Sequence, residues 1–273
     1  MKAIFKLKQQ GQVNYYIIEE FMATGLVEQA FTTKIGGVSW GDFAELNLGI
    51  HTADNQEDVI RNRQLTAKVL NSSLAEWVSG EQIHSNQVAI VSQAERGRGA
   101  LKENQALRGI DALVTDQPNV LLTSFYADCT PLLFLDPSRE VIALAHAGWK
   151  GTLAGIAKNT VRQMQLSFAS QVEDILVGIG PAIGACCYQV GAEVADLFKA
   201  DSIDADKILK RDRADKYLLD LQKANKLQLL KLGLKESNII SSNLCTYCKE
   251  ELFFSYRREE GRTGRMASLL KLK

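Results

Sequence analysis

Two rhythms of apolar and polar residues run along this chain, and they predict different elements. At the amino-terminal end MKAIFKLKQQGQVNYYIIEE alternates apolar and polar positions, and residues 3–8, 13–19 and 27–33 read as strands. From residue 110 the pattern changes to short, nearly unbroken apolar runs: IDALVTD, NVLLTSFYA, PLLFLD and VIALAHA, with turn residues between them. Such runs suit strands covered on both faces. DILVGIG reads as a further buried strand, MASLLKL as the last one, and strands around 77–82 and 87–92 bracket His84. Helical spacing appears from Glu57 to Leu70 (Val59, Leu65, Val69), with Asp54 or Asn55 available as N-cap. Further helices are predicted from about Thr152 to Phe168, near 191–199 and near 218–232. The Gly-rich stretch KIGGVSWGDFAELNLGIH is too long for a mere connector, and 94–109 reads as a polar surface loop. Strands outnumber helices and often follow one another directly. The prediction is an α/β (α+β) fold, a mixed sheet or two packed sheets with helices outside, in preference to a Rossmann fold.

Composition narrows the partners. The 273 residues show no linker, low-complexity tract or repeat, so one domain, 1–273, is expected. Thirty-two basic residues balance thirty-two acidic ones, which gives no global field to draw nucleic acid or an anionic membrane. No segment approaches the ~20 apolar residues of a membrane span. The amino terminus reads as a strand pair and not as a signal peptide. Five cysteines, an odd number, then point to reduced thiols in a cytoplasm. Nothing resembles an exposed apolar docking helix, and a monomer is the expectation.

Candidate chemistry centres on His84, Cys129 and His146. The chain holds only three histidines, and these two lie at predicted strand ends, as does the cysteine. Imidazole and thiolate are preferred zinc ligands, and a three-ligand site keeps a position open for water or substrate. A buried structural cysteine with two unrelated histidines explains the pattern equally well. Gly148 and Gly151 around His146 favour a site, because glycine lets a ligand approach the backbone. Cys186, Cys187, Cys245 and Cys248 offer four more thiols. Vicinal cysteines chelate one ion poorly and a lone CxxC is a weak signal, so free thiols are expected there before a closed zinc site. Arg257, Arg258, Arg262 and Arg265 suit phosphate or carboxylate recognition, or a solvated turn with Glu259 and Glu260. GIGPAIGACC lacks the lysine and hydroxyl of a Walker loop, and no GxSxG or HExxH occurs.

These segments together resemble the YfiH family, also called the laccase-domain or polyphenol oxidoreductase family. The resemblance rests on GGVSWGDFAELNLGIHTAD, EDVIRNRQL, EQIHSNQV, DALVTDQP, ADCTPLLFLDP, AHAGWKGTLAGI, GIGPAIGACCYQVGAEV and CTYCKEELFFSYRREEGRTGRMA, in that order. Ser85 stands where the family often has Gly, and Lys150 where it often has Arg. The resemblance implies a fold of mixed sheets between helices, similar to the catalytic domain of cytotoxic necrotizing factor. It implies Zn2+ on His84, Cys129 and His146, with purine nucleosides and phosphate as partners. The implied activity is purine nucleoside phosphorolysis of adenosine, inosine, guanosine and S-methyl-5'-thioadenosine, with adenosine deamination as a second activity. Asp128 is the nearest candidate general acid or base. Arg63, Asn47 and Lys150, all in matched motifs, are expected to contact substrate, Arg63 without a structural role. Three histidines cannot ligate several copper ions, which argues against multicopper phenol oxidation and leaves at most a single copper. The competing class is a thiol hydrolase or deamidase with Cys129 as nucleophile.

Overall fold

The computed structural model describes residues 5–201 and 204–273, so the start of the 3–8 strand prediction lies outside the described residues. The chain runs β1 (Phe5–Gln10), β2 (Val13–Ile18), α1 (Glu19–Ala23), β3 (Val27–Thr32), α2 (Gln56–Val69), β4 (Trp77–Ser79) and β5 (Val88–Ile90). It continues through β6 (Ala112–Thr115), β7 (Leu121–Tyr126), β8 (Thr130–Asp136), β9 (Val141–Ala147), α3 (Trp149–Leu153), α4 (Ile156–Phe168) and β10 (Leu176–Ile179). Then come β11 (Gln189–Gly191), α5 (Ala192–Ala200), α6 (Ala205–Ile208), β12 (Leu209–Arg213), β13 (Lys216–Leu219), α7 (Leu221–Lys231), β14 (Ile239–Ser241) and β15 (Met266–Leu272).

Two six-stranded sheets form the body, ordered β1-β2-β3-β15-β7-β4 and β14-β10-β8-β9-β6-β5. Both are mixed: β4 runs parallel to β7, β5 to β6 and β14 to β10, and the other pairs are antiparallel. The period-two geometry of a strand sorts the apolar runs onto two faces. On β8, Leu133 and Leu135 point to the first sheet and meet Ile18, Val27, Leu122 and Leu270. Leu132 and Phe134 point the other way, onto Ile156, Val161 and Met164 of α4 and Leu229 of α7. The first sheet's outer face is covered by α2 and the loop before it, with Ala67, Val69, Leu46 and Leu48 against Trp77, Leu121 and Leu269. The order helix, sheet, sheet, helix explains why these strands carry almost no polar positions. It is the architecture of two packed sheets with helices outside.

Two local readings need correction. The helix expected from Thr152 to Phe168 is broken: α3 ends at Leu153 and α4 starts at Ile156, with Gly155 between them at φ 78°. That left-handed conformation is open to glycine at little steric penalty. The helix expected from 218 starts at Leu221, where the Asp220 side chain accepts from Lys223 N–H as N-cap. Residues 216–219 belong instead to a third, small sheet, ordered β11-β13-β12, which packs around Phe198 and Leu219. For α2, Asn55 is the cap, accepting from the backbone N–H of Glu57 and Asp58. Among the described residues no helix is long and apolar enough to cross a membrane.

Candidate metal centre and its cavity

Strand register sets the site. In the β8–β9 ladder Thr130 faces Ala147 and Pro131 faces His146, so Cys129, one residue before β8, comes to lie against the end of β9. His84 arrives on the segment joining β4 to β5. The three donor atoms lie within 4.8 Å of one another, with Cys129 Sγ 3.8 Å from His84 Nε2. The two imidazole rings stand 4.9 Å apart, centre to centre. Gly148 completes the pocket by having no side chain. A Cβ there would lie 2.8 Å from His84 Cδ2 and 3.0 Å from Cys129 Sγ.

Asp111, just ahead of β6, holds both histidines. Its Oδ1 lies 2.9 Å from His146 Nδ1, which directs the other ring nitrogen, Nε2, toward the thiol. The same carboxylate accepts from the backbone N–H of Ile83, His84 and Ser85 and from Ser85 Oγ, at 3.2, 3.1, 2.7 and 2.7 Å. His84 sits at φ 63°, a left-handed conformation that costs of order 1–3 kcal/mol in a residue with a side chain. The hydrogen bonds to Asp111 offset that strain. Ser85 adds the hydroxyl contact.

The electrostatics follow from this packing. Burial pushes the Cys129 thiol up, but His146 and then His84 outweigh it and bring the pKa down to about 6. Burial pushes His146 down, while the Cys129 thiolate and Asp111 raise it to about 9. Burial also opposes ionisation of Asp111, yet its bonds to His146 and Ser85 hold the carboxyl below its usual range. The result is a thiolate and an imidazolium side by side near neutrality. Two nitrogens and one thiolate form a donor set suited to zinc, with Asp111 orienting from behind and Gly148 leaving room.

A cavity of about 600 Å³ opens over the three donors. Phe125, Trp149, Tyr188 and Tyr256 supply aromatic wall, and Arg63, Arg257, Arg265 and His51 supply nitrogen. His51 is driven down to about 4 by desolvation and by the charges of Arg265, Arg63 and His146, so it is neutral at physiological pH. Arg257 rests on the Tyr188 ring with Nη1 donating to the Gln189 carbonyl, and Arg265 rests on the Tyr256 ring.

The sequence-stated residues divide. His84, Cys129 and His146 come together. Asp128 borders the cavity, but its Oδ1 accepts from Thr246 Oγ1 at 2.6 Å and its Oδ2 from Ser255 Oγ and Arg257 N–H at 3.0 and 2.9 Å. This carboxylate braces the 246–257 segment while it borders the cavity, and burial pushes it above the usual carboxylate range. Arg63 reaches the cavity wall as expected, but the assumption that it lacks a structural role is wrong. It is 1% exposed, with Nε donating to the Leu48 carbonyl at 2.8 Å and Nη1 to those of Gly99 and Ala100 at 2.7 and 2.9 Å. Asn47 is not a cavity residue. Its amide nitrogen donates to Thr52 and Asp54, and its oxygen accepts from Gly49 and Arg265 N–H. Lys150 is exposed, lies over the Trp149 ring and does not border the cavity. Of the other arginines, Arg258 donates to backbone carbonyls of Thr246, Tyr247 and Phe253, and Arg262 pairs with Asp42 at 2.6 Å. Sequence reading missed Asp111, His51, Tyr188 and Tyr256. The available signals were two: an acid at the mouth of the buried run IDALVTD, and His51 as the third histidine.

Comparison with known proteins shows what the whole chain is similar to. The family model for multi-copper polyphenol oxidoreductase laccase matches residues 28–273. A Geobacillus stearothermophilus protein named purine nucleoside phosphorylase YlmD is 44% identical over 240 residues, 88% of each chain. The Bacillus subtilis protein of the same name is 41% identical over 243 residues, 89% of this chain and 87% of that one. The crystal structure of Bacillus licheniformis hypothetical protein YfiH superposes with a TM-score of 0.93 at 39% identity, covering 98% of this chain and 99% of that one.

Proposed function

The chain belongs to the multi-copper polyphenol oxidoreductase laccase family, and from that premise we propose that it is a zinc-dependent purine nucleoside phosphorylase. The observation that carries the reading is an open three-donor centre, His84, Cys129 and His146, at a cavity walled by aromatic rings and arginines. Relatives named purine nucleoside phosphorylase support it. A set of three histidines in the whole chain argues against several copper ions, and hence against phenol oxidation.

Phosphorolysis needs phosphate held against C1′ while the C1′–N9 bond breaks and the purine leaves. Arg257 and Arg265 reach the cavity from one segment and are suited to hold the anion. Phe125, Trp149, Tyr188 and Tyr256 offer flat apolar surface for a purine. Neutral His51 donates or accepts a hydrogen bond to sugar or base. Zinc, when bound to the three donors, supplies Lewis acidity and acidifies water toward pKa ~7, the chemistry that adenosine deamination at C6 requires. Adenosine, inosine, guanosine and S-methyl-5'-thioadenosine form the proposed substrate class, and a cytoplasmic enzyme is the setting. Inosine should yield hypoxanthine and ribose 1-phosphate only when phosphate is present. Free ribose released at the same rate without phosphate would show a hydrolase and reject the assignment.

A second reading has its own observation. Asp111, His146 and a Cys129 thiol of pKa about 6 line up as acid, base and nucleophile. Metal separates the two: zinc on Cys129 blunts the thiolate. Cys129→Ala should lose one zinc equivalent together with nucleoside turnover. Lost turnover at unchanged zinc content would favour the nucleophile.

A further inference from the structure

A second cluster lies outside the cavity. Cys186, Cys187, Cys245 and Cys248 bring four sulfurs within 4.8 Å of one another, with no histidine or carboxylate among them. Cys248 Sγ is 3.6 Å from Cys186 Sγ and 3.3 Å from Cys187 Sγ, and all four are free thiols. Zinc–sulfur bonds of about 2.3 Å in a tetrahedron put the sulfurs about 3.8 Å apart, so the four need only small adjustments to close on one ion. The objection to vicinal cysteines is answered by the turn that carries them. Gly184 carbonyl accepts from the N–H of Cys187 and Tyr188, and this fold of the chain turns both Cys186 and Cys187 toward Cys248.

The surroundings are built for a thiolate. Gly184 N–H donates to Cys245 Sγ at 3.2 Å. A Cβ at Gly184 would sit 3.2 Å from Cys186 Sγ and 3.4 Å from Cys245 Sγ, so the absent side chain leaves the sulfurs room to converge. The two loops run side by side before they reach the cluster: Ala182 N–H donates to the Leu244 carbonyl and Thr246 N–H to the Ala182 carbonyl. Gln222 Nε2 donates to both carbonyls, of Ala182 and Leu244.

We infer that these four cysteines form a closed, structural zinc site that clips the loop after β10 to the segment after β14. The clip has a place in the architecture of the cavity. One loop carries Ile183 and Tyr188 to its wall, and the other carries Tyr256 and Arg257. Four protein ligands leave no position for substrate, so this ion acts on structure, independently of what the first centre catalyses.

Metal analysis of the full-length protein, purified under reducing conditions, tests the site. Wild type should hold two zinc equivalents per chain, Cys129→Ala one, and Cys245→Ser with Cys248→Ser the other one. Because the double serine variant can lose metal by failing to fold, the deciding measurement is made on folded Cys129→Ala protein. Stripped and titrated with cobalt, it should bind one equivalent with the absorption bands of tetrahedral cobalt on four thiolates. A Cys129→Ala protein that binds no cobalt through sulfur would overturn the proposal. So would a wild-type chain with a single zinc that Cys129→Ala removes, iron in place of zinc at the cluster, or a disulfide among the four in the reduced preparation.

Discussion

At the residue scale the candidate centre depends on a carboxylate that is not itself a donor to the ion. Asp111 fixes the His146 ring and gathers the three backbone amides that hold His84 in its left-handed turn. Loss of such supporting partners typically lowers metal affinity ~10- to 100-fold. Asp111→Asn should therefore lose zinc to a chelator at concentrations that leave the wild type loaded, with the fold intact by circular dichroism. Equal retention in both would assign the orientation of His146 to something else. The thiol gives a pH signature in metal-free protein. The Cys129 pKa is depressed, so its contribution to stability is full above its unfolded value of about 9 and is lost as pH falls through about 6. His146 is raised, so its contribution is full below about 6.5 and is lost as pH rises through about 9. Between those limits the folded pair holds its proton on imidazole and the unfolded pair on sulfur, and the two slopes cancel. The ultraviolet thiolate band in the wild-type minus Cys129→Ala difference spectrum should appear near pH 6, and its appearance only near 9 would contradict the pairing. None of this could be read from Asp111 in sequence, because its partners come from two distant segments, residues 83–85 and His146. The two histidines and the cysteine were legible because their residue types are rare here and chemically specific.

At the element scale Arg63 is one of the ties between α2 and the rest of the fold, beside Asn62, which donates to the Glu45 and Asn47 carbonyls, and the packed Ala67 and Val69. Arg63 spans from the helix to the carbonyls of Leu48, Gly99 and Ala100, and its guanidinium lies 4.6 Å from the Phe125 ring and 5.4 Å from that of Trp77. Removing it strands buried carbonyls that have a charged donor, and Arg63→Ala should lose about 3 kcal/mol of stability. In a chain of this size that is a fall in Tm of roughly 6–12 °C by calorimetry. Arg63→Lys should recover little, since one ammonium cannot reproduce a fork that serves three carbonyls. A wild-type Tm in Arg63→Ala would return the residue to a purely ligand-facing role. The same element shows the limit of periodicity: its apolar spacing and cap were readable, while Arg63 looked like any polar helix residue. Strands β6 to β9 were legible because burial on both faces leaves mostly apolar side chains. The small sheet was not, because β12 is LKRDR, mostly exposed, and its pairing with β13 is set by tertiary contact and not by pattern.

At the scale of the whole molecule the cavity is a meeting point of distant segments, with walls from the 50s, the 80s, the ends of β7 and β9, and the loops near 183–188 and 256–265. Neither six-stranded sheet supplies it alone. The first of those sheets has a further property. Its strand β15 lies in the middle, between β3 and β7, and pairs Ser268 with both Phe31 and Ser124. A chain emerging from a ribosome thus carries two half-sheets, β1-β2-β3 and β7-β4, for as long as residues 266–272 are still being made. Each half ends in an unpaired row of peptide groups, the kind of edge that recruits foreign strands. The strand that joins them follows both halves in the chain, so synthesis of this protein passes through a sticky stage that ends only when β15 has paired with β3 and β7: a nascent chain stalled before Met266 is the form most prone to clump, and the one that a chaperone would have to shield.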